Sequence, residues 1–184
     1  MKKIITTICL LFCFNFSYSQ DKPFVHNNLF KINILNPGFT FEKGVNNNNT
    51  VCIETNLSIG FHASGTNSSS ENVNTTILIS PFLRGQYRHY YNFEKRIRKG
   101  KNISLNSGNY LAFSSSYYFD TLGTNDFISI YDGLTLGGVW GFQKTYRNNL
   151  NIGANLGLGY NISRDQSNGL LLVIDFTIGW VIGK

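Results

Sequence analysis

Apolar residues recur at every second position over most of the chain. The cleanest run is Leu150–Ile162, where Leu150, Ile152, Ala154, Leu156, Leu158, Tyr160 and Ile162 alternate with Asn151, Gly153, Asn155, Gly157, Gly159 and Asn161. A helix would need apolar spacings of three and four and would not carry three glycines and three asparagines. The stretch therefore predicts a strand with one apolar and one polar face. The same period predicts strands over Val51–His62, Thr75 to about Phe93, Tyr110–Phe119, Gly133–Gln143 and Leu170–Ile182. In Phe24–Val45 the parity flips, with Phe30, Ile32 and Ile34 before Asn36-Pro37-Gly38 and Phe39 and Phe41 after it. Proline removes a ladder donor and glycine permits a kink, so this segment reads as two short strands or one bulged strand.

Polar stretches separate these runs. Asn46–Asn49 and Arg147–Asn149 read as tight turns, and Ala63–Asn74, Asp120–Asp132 and Ser163–Gly169 as surface loops. Phe127–Ile130 could add a brief strand, and Glu94–Ser107 is a basic connection with room for a short helical turn. Seven strands are distinct, and splitting the first at Pro37 makes an eighth. The predicted fold is all-β, an up-and-down antiparallel barrel of about eight strands.

The N-terminus changes where this barrel is expected. Met1-Lys2-Lys3, an apolar run from Ile4 to Phe16, and Ser17-Tyr18-Ser19 before Gln20 have the layout of a secretory signal peptide. Its apolar core is too short to span a bilayer as a helix. Residues 1–19 are set aside on that basis, and 20–184 form one expected domain. Cys52 is the one cysteine of that domain, so an internal disulfide is excluded. Removing Lys2 and Lys3 from the 16 basic residues leaves 14 against 10 acidic. Half of those 14 fall between Arg84 and Lys101, so the basic balance is local. Nucleic acid is an unexpected partner for an exported chain of this kind.

A dyad pattern alone does not say which face is wet. Charged residues are 14% of the chain, well below the roughly 25% of a soluble domain. The polar faces carry mostly Gly, Ser, Asn and Thr, which suit the narrow interior of about eight strands, and the apolar faces are read as free of charge. Aromatic residues close the strands at both ends: Phe61, Tyr117, Phe119 and Tyr160 at one rim, Tyr91, Phe93, Trp140, Phe142 and Trp180 at the other. Two such belts around an apolar band predict a barrel in an outer membrane. Its interior would then hold Glu42, Glu54, Asp175, Arg84 and Arg88, and buried carboxylates need partners. An acid–arginine network plugging the lumen is the expectation.

In these respects the chain resembles the small outer-membrane β-barrel proteins of Gram-negative bacteria, the OmpA/OmpW-like group and uncharacterised exported barrels beside it. The stretches that carry the likeness are Asn36–Lys43, Tyr87–Asn92, Lys95–Asn102 and Asn106–Tyr110. The resemblance implies an outer-membrane location, contact with outer-membrane lipid and assembly by the barrel-insertion machinery, and it implies no reaction. Such barrels often end on an aromatic residue, whereas this sequence ends on Lys184 with Trp180 four residues earlier.

Candidate chemistry is sparse. His62-Ala63-Ser64 is a conceivable nucleophile–base pair, as in a lipid-modifying membrane enzyme, but the nearest following acid, Glu71, lies in a loop. The pair reads as structural, and no enzyme activity is expected. His26, His62 and His89 are scattered and suggest no metal, and no cofactor motif is present, because the glycines of Gly153–Gly159 alternate within a strand. The basic cluster Lys95, Arg96, Arg98, Lys99 and Lys101 is the best candidate for recognition, of anionic headgroups or an acidic periplasmic or surface partner. The chain is expected to be a non-catalytic outer-membrane barrel with a structural or surface-interaction role. The alternative is a secreted soluble barrel that binds a small apolar ligand.

Overall fold

The computed structural model describes residues 24–64, 74–120, 133–163 and 167–183, with the side chains of 59–64 and 74–78 outside the description. Eight strands close an antiparallel ring in chain order: β1 (Asn28–Leu35), β2 (Gly38–Gly44), β3 (Asn49–Ser64), β4 (Asn74–His89), β5 (Gly108–Tyr118), β6 (Gly133–Thr145), β7 (Leu150–Ile162) and β8 (Gly169–Gly183). Each pairs with its successor, and β8 returns to β1. The segment around Pro37 is two strands. Asn36 adopts φ 56, a left-handed geometry that asparagine tolerates, and reverses the chain there. Asn149, with φ 60, does the same between β6 and β7.

The two ends of the ring differ. The connections β3–β4, β5–β6 and β7–β8 lie at one end, called here the loop end. At the opposite, turn end lie the β2–β3 and β6–β7 turns and the long β4–β5 connection. That connection holds α1 (Phe93–Arg98) and a single 3-10 turn, Ser104–Asn106. The expected strand from Thr75 therefore stops short of Phe93. The Tyr90 amide donates to Asn48 O at 2.8 Å, and the chain then turns into α1. Phe93 is fully buried and stacks on Tyr90 at 4.6 Å between ring centres. Its place in the outer aromatic belt is thus corrected: Phe93 closes the inside of the barrel. Residues 1–19, Phe127–Ile130 and Glu71 lie outside the described residues, as do the side chains of Phe61, His62 and Ser64.

Because strand residues alternate faces, each strand sends one parity inward and the other outward. Along β7, Asn151, Asn155 and Asn161 are buried while Leu156, Leu158 and Tyr160 are exposed. The wall is apolar on the outside, with Phe113 61%, Leu158 63% and Leu170 80% exposed. The outward faces are not wholly free of charge, as expected above: Lys43 and Lys144 point outward, both close to the turn end.

Tyr117, Phe119 and Tyr160 reach the exterior toward the loop end. Tyr91, Trp140, Phe142 and Trp180 do so nearer the turn end, where Trp140 Nε1 donates to the Tyr91 hydroxyl at 2.8 Å. A small apolar cluster of Val25, Tyr90, Phe93, Tyr110, Ala112 and Val139 fills the lumen from the turn end. The turn end is sealed.

Candidate functional site: a charge ladder in the lumen

Inward positions of the described strands carry six charged side chains, one or two from each of β1, β2, β3, β4 and β8. They form one alternating chain. Lys31 Nζ meets Glu42 Oε2 at 2.9 Å, and Glu42 Oε2 lies 3.5 Å from Arg88 Nη1. Arg88 Nη2 meets Glu54 Oε1 at 2.6 Å, Glu54 Oε2 lies 3.3 Å from Arg84 Nη1, and Arg84 Nη1 meets Asp175 Oδ2 at 2.7 Å. All six are buried. Three cations against three carboxylates leave no net charge, and every interior member has an opposite charge on both sides. A buried ion is tolerated only with such pairing and with its remaining hydrogen bonds met.

Those remaining bonds are met. Glu42 accepts from Thr50 Oγ1 at 2.9 Å, Tyr90 OH at 2.7 Å, Asn106 Nδ2 at 2.9 Å and Gln143 Nε2 at 3.3 Å. Arg88 donates Nε to Gln86 Oε1 at 2.8 Å, and its guanidinium lies 4.7 Å over the Tyr110 ring. Arg84 donates Nε to Ser116 Oγ at 3.1 Å and covers Phe82. Asp175 also accepts from Asn155 Nδ2 at 3.2 Å, while Asn155 Oδ1 takes the Tyr110 hydroxyl at 2.8 Å. Burial, reinforced by the Glu42 carboxylate, holds the Tyr90 phenol well above its ordinary range, so Tyr90 stays a donor. A void of about 10 Å³ beside Lys31, Glu54 and Arg88 would hold one water at most. The ladder fills the lumen at its level.

Local backbone geometry delivers two of these groups. Leu105 and Asn106 adopt φ 52 and 58 in succession. This double left-handed turn carries Asn106 into the lumen, where its Nδ2 reaches Glu42 and its Oδ1 accepts the His26 amide at 2.6 Å. The Leu105 carbonyl accepts from Gln143 and Thr145, which holds the strained pair in place. On β6, a Cβ at Gly141 would collide with the Tyr110 ring and Asn155, so glycine makes room for Tyr110 against Arg88.

Glu42, Glu54, Arg84, Arg88 and Asp175 are thus brought together, and Lys31 joins them. Lys31 lies between Phe30 and Ile32, in a strand whose inward face opens with Leu29. That apolar start masked the charged parity, although the shared face of Lys31 and Asn33 was the available signal. The basic cluster sits apart from the ladder on and after α1. Lys95, Arg98, Lys99 and Lys101 are exposed, while Arg96 folds back to donate to Asn102 O at 2.8 and 3.2 Å.

His89 points outward and binds Asn49 at 2.7 Å, and His26 lies at the turn end. Among the described residues no group of His, Cys, Asp and Glu is arranged to hold a metal. Cys52 is buried, with its thiol 3.6 Å from Glu54. The arrangement can lock a barrel and exclude ions from its axis. No family model, curated protein or solved structure is matched by this chain.

Proposed function

We propose that this chain is an integral β-barrel protein of a Gram-negative outer membrane, with a structural or surface-interaction role and no catalytic step. One observation supports this above the others: surface and interior have exchanged their usual chemistry. The wall presents Phe, Leu, Ile and Trp outward between aromatic ends, its outward Lys43 and Lys144 lie close to the turn end, and six further charges are folded inward and neutralised pairwise. A soluble barrel built for an apolar ligand would need the reverse, an apolar lumen inside a charged shell. In hydrocarbon a closed ring is also the sheet arrangement that leaves few backbone groups unpaired.

The turn end, with the basic cluster Lys95–Lys101, would face the periplasm, where anionic headgroups or an acidic partner could meet it. Expression followed by membrane fractionation tests the proposal. The expected result is recovery in the outer-membrane pellet with a gel mobility that changes on heating. Recovery as a soluble protein without heat-dependent mobility would overturn it.

A further inference from the structure

The ring is complete near the turn end and incomplete near the loop end. β8 pairs with β1 only over Ile178–Gly183, and β2 pairs with β3 only up to Asn56. Beyond those points β3 and β8 continue, each held by its other neighbour, from Leu57 to Ser64 and from Thr177 back to Gly169. The β1–β2 hairpin ends between them at Asn36-Pro37. Its strands are 8 and 7 residues long, against the roughly 9–11 that a membrane-spanning strand needs. Two strands are missing from the wall above the hairpin, which leaves a notch about 14 Å wide at the ordinary strand spacing. Among the described residues no strand pairs with the two edges that border it, and at its base the Leu57 amide still donates to Pro37 O at 2.9 Å.

The notch opens a chamber of about 320 Å³ inside the loop end. The inward walls turn apolar there, with Phe82, Val139, Leu171 and Val173, above a polar floor of Ser114, Ser116 and the Arg84–Asp175 pair. The rim toward the outside is apolar: Leu35, Leu172, Ile174 and Phe176. The β8 edge adds backbone groups. Phe176 O points into the notch and accepts Asn36 Nδ2 at 3.2 Å. By strand alternation, the N–H and C=O of Leu172 and Ile174 face the same way. Hydrocarbon cannot satisfy these groups, and such backbone is tolerated at membrane depth where it lines a polar cavity.

We infer that the notch is a lateral portal, and that the chamber seats the hydrogen-bonding head of a single-chain amphiphile whose acyl chain leaves through the apolar rim into the bilayer. The chemistry sets the head. The charge ladder is neutral and Arg84 already holds two carboxylates, so an uncharged hydroxyl, ester or amide fits the floor and the free β8 edge better than an ionised group. The volume lies at the lower end of small-molecule sites, which suits a head and a few carbons rather than a whole lipid.

This inference rests on the bilayer-facing exterior proposed above, and its test separates the two. The barrel is reconstituted in lipid nanodiscs with a monoacylglycerol that carries a photoreactive diazirine beside its ester, then irradiated and mapped by peptide mass spectrometry. The expected result is labelling of the inward residues Leu171, Val173 and Phe82, lost on adding excess unlabelled monoacylglycerol. A Val173→Trp variant that still shows heat-dependent mobility should lose most of that labelling. Labelling confined to outward residues such as Leu156, Leu158 and Phe113 would overturn the portal and leave the membrane reading standing. A barrel that never enters nanodiscs would overturn the membrane reading itself. A fatty acid with the same diazirine is the second probe, and labelling as strong as that by the monoacylglycerol would overturn the uncharged head.

Discussion

Arg88 shows how single residues hold this barrel together. Its guanidinium faces Glu54 at 2.6 Å and Glu42 at 3.5 Å and covers Tyr110, so removing it leaves each of two buried carboxylates with one cation in place of two. Arg88→Met should lower stability by about 3–5 kcal/mol, the usual cost of breaking a buried pair. Lys31→Met, at the end of the ladder, should cost less, because Glu42 keeps Arg88 and four neutral donors. Adding Glu54→Gln to Arg88→Met should cost less than Glu54→Gln alone, since the two groups share one interaction. Urea unfolding in lipid vesicles reads the single variants and the double one, and strictly additive losses would contradict a ladder. Most of its members were legible in the sequence because each is a charge at the inward parity of a clear two-residue alternation. Lys31 was harder, being the one charge beside Leu29 in a short strand. The glutamate shell contributed by Tyr90, Asn106 and Gln143 comes from distant segments, and no local pattern encodes it.

At the scale of one element, β6 separates the two faces of the wall within four residues. Gly138 points outward, and a Cβ there would meet open space. Gly141 points inward, where a Cβ would strike the Tyr110 ring. Gly138→Ala should therefore leave stability within about 0.5 kcal/mol, whereas Gly141→Ala should cost about 1–3 kcal/mol by overpacking the lumen. Unfolding midpoints of the two variants check this, and equal losses would mean that β6 does not divide inside from outside.

The strands were readable because a period of two is a strong signal. The β4–β5 connection was less so, because the outward parity of Tyr91 continues through Phe93 although the strand has already ended. Asparagine at position 92, a residue type favoured before a first helical turn, is the sign that the chain leaves the sheet. Phe93 then packs inward, and Phe93→Ala should destabilise the barrel by about 3–5 kcal/mol and loosen the seal of the turn end.

For the whole molecule, the architecture is a ring sealed at the turn end, locked from there up to mid-height by neutral charge pairs and notched at the loop end. Such a barrel should pass no large steady ionic current. Single-channel recording in planar bilayers checks this, and a stable open conductance would contradict the filled lumen. The all-β ring was legible because the strands follow one another in chain order, each with its own period of two. The notch was not, since it arises from register: β1 and β2 stop while β3 and β8 continue.

The proposed outer-membrane location requires the apolar wall to meet lipid. Trp140 and Trp180, the two tryptophans of the chain, both face outward and are 40% and 39% exposed. Their fluorescence in vesicles of brominated phospholipid is the most direct measurement. Tryptophans in contact with lipid are expected to show strong quenching by the brominated chains and weak quenching by aqueous acrylamide. Full emission in brominated lipid together with ready quenching by acrylamide would contradict that contact.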